Sequence, residues 1–273
     1  MRISQALAAA RQSGVERLDA QLLLSHLLQR PREWLLAHDD RALTESQAAS
    51  FEALLLRRRR GEPLAYLVGE REFCGLTLHL TPQVLVPRPE TEGLVDWALQ
   101  CLASAPAATA VDLGTGSGAI ALALKRATPA TQVFASDASA GALEVARSNA
   151  RRHGLQVQFA CGDWWTPWAG RRFGLAVCNP PYIAGDDPHL AALAHEPLSA
   201  LTPGGDGLDA LRTVIAGATQ CLLPGAWLLL EHGHDQAGAV RDLLCEAGFV
   251  APQTREDLAG LARCTGGVWS SAA

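Results

Sequence analysis

The residues best suited to chemistry form the tetrapeptide Asn179-Pro180-Pro181-Tyr182. It follows the apolar run 173–178, which the pattern predicts to be a buried strand. Two prolines cannot continue a strand ladder, so we expect nearby backbone carbonyls to face a cleft. Asn179 adds an acceptor oxygen and Tyr182 a flat ring, which together could grip a planar group carrying an NH2. A proline-rich turn that merely ends the strand is the plainer alternative.

A glycine-rich loop lies between a predicted strand and a predicted helix, and it consists of Gly114, Thr115, Gly116, Ser117 and Gly118. Glycines let the backbone approach a ligand closely, and a helix start offers free N–H groups. The loop lacks the Lys-Ser/Thr of a phosphate P-loop and departs from the dinucleotide spacing. Asp112, just before it, would repel a pyrophosphate but would suit an ammonium or sulfonium. A tight turn without a ligand remains open here.

Acids also follow the next two predicted strands, 131–137 and 156–160. Asp137 stands where the ribose-binding acid of a doubly wound fold would stand, about 20 residues after the glycine loop. Asp163 could hydrogen-bond an adenine amine, and Trp164 could pack on the ring. Each is a common loop residue alone, but in series at strand ends they outline a nucleoside site. The ligand that fits all these features is S-adenosylmethionine, and the reaction would be methyl transfer to a planar NH2 nitrogen, with S-adenosylhomocysteine as product.

The sequence resembles the HemK/PrmC family of protein-(glutamine-N5) methyltransferases over nearly its whole length. The matching motifs are residues 59–69, 73–76, 84–92, 112–118, 179–183, 195–197, 204–209, 231–233 and 257–260. Residues 261–265 look less typical, which leaves the edge of the last strand open. The resemblance implies that the substrate is the glutamine of the Gly-Gly-Gln loop of class-1 peptide chain release factors.

The resemblance also implies roles for individual residues. Asn179 and the Pro180 carbonyl would hold the glutamine amide, and Tyr182 would pack against it. Pro181 would belong to the same substrate site, and Asn179 would also adjoin the cofactor. The glycine loop, Asp112, Asp137, Asp163 and Trp164 would line the cofactor. Arg88, Glu90 and Thr91 belong to a motif beside the active site, although Arg88 and Glu90 could equally form a salt bridge that braces a loop.

Composition sets limits that agree with this interpretation. The chain has 273 residues, 48% of them hydrophobic, and a net charge of −5, which does not favour DNA as a partner. The basic run 57–60 is most simply a solvated helix end, with contact to a partner or to ribosomal RNA as the alternative. Seven cysteines without a Cys-x-x-Cys pair indicate reduced thiols and a cytoplasmic protein. We expect no metal, no membrane span, no signal peptide and a monomer.

The pattern predicts an α/β protein of three parts. Residues 1–70 would be a helical domain, which the resemblance assigns to substrate recognition. Residues 71–87 would contain a β-hairpin linker that turns at Cys74-Gly75. Residues 88–273 would form a Rossmann-like class I methyltransferase domain with a mostly parallel, doubly wound sheet and late strands at 227–231 and 267–269. In the first part, Asp19, Pro31 and Thr44 are candidate helix starts.

The helical part carries two apolar stripes, one formed by Leu18, Leu22, Leu23, Leu27 and Leu28 and the other by Phe51, Leu54 and Leu55.

Two other classes of function stay open for the whole chain. An adenine-N6 methyltransferase could use the same tetrapeptide, but it would need a basic groove. A non-catalytic scaffold with a relict site would not need every site residue to be intact.

Overall fold

The computed structural model describes residues 1–104 and 109–270. Met1–Glu70 forms one compact unit, and the chain from Arg71 onward forms a second. In the residues so described, no helix is both long and apolar enough to cross a membrane. All seven cysteines fall within them and none is in a disulfide.

The first unit is helical, as predicted, and its five helices are α1 Ile3–Gln12, α2 Arg17–Leu28, α3 Arg32–Ala37, α4 Glu45–Arg59 and α5 Leu64–Val68. Thr44 is confirmed as the start of α4: its hydroxyl accepts the Gln47 N–H and its own N–H donates to the Gln47 side chain. The prediction that Asp19 starts a helix was wrong, because α2 is capped at Glu16 and Asp19 lies in its first turn.

The predicted leucine stripe of α2 was also partly wrong. Leu18 is 48% exposed, whereas Ala20, Leu23 and Leu24 are buried, so the buried face is rotated from the predicted one.

The basic run at the end of α4 is partly structural. Arg57 pairs with Glu62 at 2.5 Å, and Arg58 pairs with Asp19 at 2.6 Å. These pairs favour the interpretation of the run as a helix end.

The predicted hairpin follows at the start of the second unit, and its strands are β1 Glu70–Phe73, whose first residue still belongs to the first unit, and β2 Leu76–His79. Cys74 and Gly75 between them have φ values of 46° and 74°, the left-handed pair typical of a two-residue hairpin turn. The strands of the large sheet are β3 Thr109–Leu113, β4 Gln132–Asp137, β5 Val157–Cys161, β6 Phe173–Cys178, β7 Leu222–Glu231, β8 Phe249–Glu256 and β9 Ala262–Trp269.

The helices that accompany that sheet in the described part of the chain are α6 Thr91–Ser104, α7 Ala119–Ala127, α8 Ala140–His153, α9 Asp209–Cys221 and α10 Ala237–Glu246. Short 3-10 helices lie at Thr166–Trp168, Pro188–Leu193 and Leu198–Ala200. The strand order is β5-β4-β3-β6-β7-β9-β8. Strands β3 to β7 pair in parallel, and β9 pairs antiparallel with β7 and with β8. The mostly parallel α/β sheet is therefore as predicted, but β8 was not anticipated and β7 and β9 are longer than predicted.

The sheet order reverses between β3 and β6, and this reversal positions the site. Strands β4 and β5 are added on one side of β3, whereas β6 and then β7 are added on its other side. Leu113 of β3 pairs with Cys178 of β6, so Gly114 and Asn179 leave the sheet side by side at its carboxyl edge. Ligands of open α/β sheets bind at such a point. Beneath it, Phe134 and Phe173 pack edge to face with ring centroids 5.3 Å apart.

Candidate functional site

The glycine loop turns directly from β3 into α7. Gly114, Gly116 and Gly118 have φ values of 70°, 53° and 86°, which residues with a Cβ adopt only with strain. At Gly114 the space is also limited, because a Cβ there would lie 3.3 Å from Cζ3 of Trp164. The backbone of the loop therefore carries no side chain at Gly114, and the indole ring of Trp164 lies over it.

Asp112 lies underneath this loop and is fully buried. Its Oδ2 accepts the Thr115 hydroxyl at 2.6 Å and the Ala121 N–H at 3.2 Å, while no described residue donates to Oδ1. Burial raises its pKa to about 7, against the two hydrogen bonds that lower it. Asp112 thus braces the loop from behind, and it does not line the neighbouring cavity.

Asp137 stands at the end of β4 and faces the loop. Its Oδ2 accepts the Gly116 N–H and its Oδ1 accepts the Ser139 N–H, both at 2.8 Å. Burial raises the pKa of Asp137, and the two N–H donors oppose that rise. Each carboxylate oxygen can accept a further hydrogen bond, so the side chain could hold two hydroxyl groups of a ligand.

Trp164 completes this wall in a strained conformation, with φ at +43°. Its carbonyl accepts the Ser136 hydroxyl at 3.0 Å, which fixes the backbone that presents the ring. Strain of this kind persists only where the surroundings enforce it, and it is common at ligand sites.

These groups line the larger of two adjoining cavities, which has a volume of about 320 Å³. That is within the range of small-molecule sites. Its lining comprises Gln83, Val84, Leu85, Gly114, Gly116, Asp137, Ala138, Ser139, Ala142, Asp163, Trp164, Asn179, Pro181, Pro197, Ser199 and Ala200. The sequence-predicted cofactor residues that meet here are Gly114, Gly116, Asp137, Asp163, Trp164 and Asn179, while Asp112, Thr115, Ser117 and Gly118 are outside the lining.

The smaller cavity, of about 250 Å³, takes in Arg88, Asn179, Pro180 and Tyr182. Asn179, Leu85 and Ala200 line both cavities, so they form a shared wall. The predicted substrate residues Glu90 and Thr91 line neither. Glu90 is exposed, whereas Thr91 is buried behind Asn179.

Asn179 is held by one hydrogen bond, from its Nδ2 to the Thr91 hydroxyl at 3.2 Å. No described residue donates to its Oδ1, which is left for a donor in the cavities. Tyr182 is held on its far side, where its hydroxyl donates to Oε1 of Glu231 at 3.2 Å.

Glu231 ends β7 and was not predicted as a site residue. It is 1% exposed, and its Oε2 has no hydrogen-bond partner among the described residues. Burial raises its pKa to about 7, while the nearby Thr91 and Tyr182 hydroxyls and the charge of Arg263 lower it. A buried carboxylate with an unpaired oxygen is costly, and such groups cluster at functional sites.

Arg88 is braced by Glu196, a second carboxylate that sequence reasoning missed. The Arg88 Nη2 lies 2.5 Å from Glu196 Oε1, and Glu196 Oε2 accepts the Val86 N–H at 3.0 Å. The brace predicted for Arg88 therefore exists, but its partner is Glu196 and not Glu90. Glu196 and Glu231 lie in the motifs 195–197 and 231–233, which belong to the family resemblance. No role was assigned to either residue from the sequence.

The described residues hold no group of three or more His, Cys, Asp or Glu side chains placed to share a metal ion. Their donor set suits a nucleoside better: a carboxylate with spare acceptor capacity, an exposed aromatic face and a glycine backbone. The larger cavity thus has the groups that a nucleoside cofactor such as S-adenosylmethionine would need.

Comparison with known proteins covers both units. The family model described as PrmC N-terminal domain matches residues 1–69, and that described as Methyltransferase small domain matches residues 95–221. The release factor glutamine methyltransferase of Xylella fastidiosa (strain Temecula1 / ATCC 700964) is 51% identical over 265 residues, with 96% of each chain covered. The protein of the same name from Bordetella pertussis is 48% identical, over 93% of this chain and 95% of that one.

A solved structure shares the fold. It is the T. Thermophilus 16S rRNA N2 G1207 methyltransferase (RsmC) in complex with AdoMet and guanosine. Its TM-score is 0.54 at 20% identity, over 73% of this chain and 49% of that one.

Proposed function

The chain belongs to the release factor glutamine methyltransferase family, and on that premise we propose that it methylates N5 of the glutamine in the Gly-Gly-Gln motif of class-1 release factors. The single observation that supports this most is the position of Asn179 in the wall between the two cavities. Its free Oδ1 can meet an NH2 group that enters from the smaller cavity.

The larger cavity would take the cofactor. S-adenosylmethionine, when bound, supplies the methyl group. Asp137 would accept hydrogen bonds from the ribose, Trp164 would cover the ligand, and the backbone at Gly114 and Gly116 would lie against it. The relative from T. Thermophilus carries AdoMet in its structure, which supports the same cofactor here.

The chemical problem is the poor nucleophilicity of an amide nitrogen, whose lone pair is delocalised into the carbonyl. Acceptors on both N–H bonds favour a geometry in which the lone pair points out of the amide plane. Asn179 Oδ1 would supply one acceptor and the Pro180 carbonyl the other, while Tyr182 would pack on the amide. As positive charge grows on the nitrogen, these two oxygens would stabilise it, the inverse of an oxyanion hole.

Positioning accounts for most of such catalysis, because no strong base is needed. Holding reacting groups at attack distance is worth roughly 7–11 kcal/mol of barrier in favourable cases. Water must also be kept from the reacting atoms, and the apolar members of the shared wall, Leu85 and Ala200, would serve that purpose.

Residues 1–70 carry no groups suited to this chemistry, and we propose that they bind the release factor. Two weak contacts on one substrate raise the effective concentration of the loop at the site. We further propose that the enzyme acts as a monomer in the cytoplasm, where translation factors work.

The test is transfer of labelled methyl groups from S-adenosylmethionine to a purified class-1 release factor, beside the same factor with its motif glutamine changed to alanine. We expect label on the unaltered factor alone. Asn179→Ala should bind the cofactor in a calorimetric titration but lose turnover by a factor on the order of 100. Label on both factors, or on RNA and DNA controls instead, would overturn the proposal.

A further inference from the structure

The tetrapeptide 179–182 is fixed at its first residue by the large sheet, because Cys178 just before it pairs with Leu230 of β7. Beyond that point its own backbone offers few hydrogen bonds, since its two prolines have no N–H to donate. The direction of the Pro180 carbonyl, the second acceptor for the target amide, therefore depends on what holds the other end of the tetrapeptide, at Tyr182.

The peptide group between Tyr182 and Ile183 is held on both sides. Its carbonyl, on Tyr182, accepts a hydrogen bond from Nε2 of Gln236 at 3.0 Å. Its N–H, on Ile183, donates to the Leu201 carbonyl at 3.0 Å. A peptide group is planar, so two bonds on opposite edges fix its orientation and with it the Cα atom of Tyr182. The bond from the Tyr182 hydroxyl to Glu231 fixes the far end of the ring.

Gln236 lies at the start of α10, and the loop before that helix sets the orientation of its carboxamide. Its Oε1 accepts the Gly233 N–H at 2.8 Å, which leaves the NH2 end to face Tyr182. A backbone N–H only donates and a backbone carbonyl only accepts. The reverse orientation of the carboxamide would therefore lose both hydrogen bonds, so this loop presents one donor to the tetrapeptide in one orientation.

Gly207 belongs to the motif 204–209 and lies against the same peptide group. Its φ is +80°, and a Cβ at this position would overlap with the Tyr182 carbonyl oxygen. The same Cβ would lie 3.0 Å from Nε2 of Gln236 and 3.1 Å from the backbone nitrogen of Ala184. Only glycine therefore leaves room for the hydrogen bond between Gln236 and Tyr182.

We propose that Gly207 and Gln236 are positioning residues for the methyl transfer. Together with the Leu201 carbonyl they form a clamp on the peptide group that follows Tyr182, and this clamp directs the Tyr182 ring and the Pro180 carbonyl toward the target amide. Gly207 and Gln236 line neither cavity, so they act through Tyr182 and not on the ligands. The proposal rests on the proposed function, since it concerns the same amide site.

The first experiment compares Gly207→Ala with Gly204→Ala. The two glycines have φ values of +80° and +83°, so both variants carry the strain of a Cβ in a left-handed backbone. Nothing lies within 4 Å of a Cβ at Gly204, whereas the one at Gly207 reaches Tyr182. We expect G207A to lower kcat for the release factor by a factor on the order of 100, the effect of a misplacement of about 1 Å, and G204A to keep kcat within about threefold.

The Kd for S-adenosylmethionine should match that of the wild type in both glycine variants, because the clamp lies outside the larger cavity. A loss of cofactor affinity in G207A that matches its loss of kcat would show a general structural defect and overturn the proposal. Equal kcat values in G207A and G204A would overturn it as well.

Gln236→Glu tests the clamp without added bulk. The carboxylate still accepts the Gly233 N–H but no longer donates to the Tyr182 carbonyl. We expect kcat for the release factor to fall by about tenfold or more, with the Kd for S-adenosylmethionine unchanged. A wild-type kcat in Q236E would contradict the role of Gln236.

Fluorine NMR tests the clamp without any substrate. The chain has two tyrosines, Tyr66 and Tyr182, so 3-fluorotyrosine labels these two positions and Tyr66→Phe assigns their signals. The Tyr182 signal should shift in G207A and Q236E but keep its position in G204A, and the Tyr66 signal should stay constant throughout. Such shifts support the clamp even if the wild-type enzyme methylates no release factor, a result that would refute the proposed function alone. A Tyr182 signal that is unchanged in both G207A and Q236E overturns the clamp.

Discussion

The indole of Trp164 lies over Gly114, with its Cζ3 atom 3.3 Å from the point where a Cβ of residue 114 would stand. Both residues have left-handed backbones, with φ values of 43° and 70°. The contact joins the end of β3 to the loop after β5 and so sets the width of the larger cavity. Each residue thus constrains the other, although they are 50 positions apart in the sequence.

Gly114→Ala should therefore weaken cofactor binding at least tenfold in a calorimetric titration. The new Cβ costs about 1–2 kcal/mol in a left-handed backbone and also displaces the Trp164 ring. Gly154→Ala is the matched control: its φ is +64°, but nothing lies within 4 Å of the added Cβ. It should lose similar stability in urea and keep the wild-type Kd. Equal losses of affinity in both variants would mean that strain alone, without the tryptophan contact, is responsible.

Substitutions in the Arg88–Glu196 pair can show whether Arg88 only stabilises the fold or also binds the substrate. Arg88→Met leaves the buried Glu196 charge uncompensated and should cost roughly 3 kcal/mol in urea unfolding, whereas R88M/E196M should recover most of that loss. If Arg88 also contacts the release factor, the double variant will be stable yet show a raised KM. Recovery of both stability and KM would assign Arg88 to bracing alone.

Asp112 predicts a dependence of stability on pH. Its pKa is raised from 3.8 to about 7 in the folded protein, so folding is favoured by its proton below pH 4 and this contribution is lost as the pH rises through about 7. Between pH 5 and pH 8 the loss should be about 2–3 kcal/mol. Asp112→Asn should remove that part of the decline in urea unfolding. A decline as large as that of the wild type would show that Asp112 does not hold its proton.

The arginines of the basic run at the end of α4 should contribute unequally to the stability of the protein. Arg58 pairs with Asp19 and donates to the Glu62 carbonyl at 3.2 Å, whereas Arg59 is exposed. Arg58→Ala should cost roughly 1 kcal/mol of stability, and Arg59→Ala less than about 0.5 kcal/mol. Neither should change the KM for the release factor. A raised KM in R59A alone would instead favour contact between the run and the partner.

Much of the site could be predicted because its residues follow strands that the apolar pattern marks. Gly114, Asp137, Asp163 and Asn179 each come at or just after a strand end, and parallel strands bring such ends to one edge. The role of Asp112 could not be predicted in the same way. The sequence indicates a carboxylate beside the loop, but only the fold shows that its side chain points into the core and not into the cavity.

Glu196 and Glu231 were missed for a different reason. Glu196 meets Arg88 across 108 positions, and Tyr182 meets Glu231 across 49. Local periodicity says nothing about pairs at such distances. In α2, tertiary packing also decided the buried face: Leu18 fits the helical repeat but is 48% exposed. Strand β8 was missed because its burial alternates too weakly, with Phe249 the one fully buried member among its eight residues.

The position of β9 has a consequence for synthesis on the ribosome. This strand lies between β7 and β8, although it follows both in the chain. Until residues 262–269 have left the ribosomal tunnel, the open edge of β7 is exposed to other strands, and such edges promote misassembly. Glu231 stays accessible to water over the same interval, because Cys264, which pairs with it in the sheet, has yet to arrive. The nascent chain therefore encloses this carboxylate last, when β9 inserts beside β7.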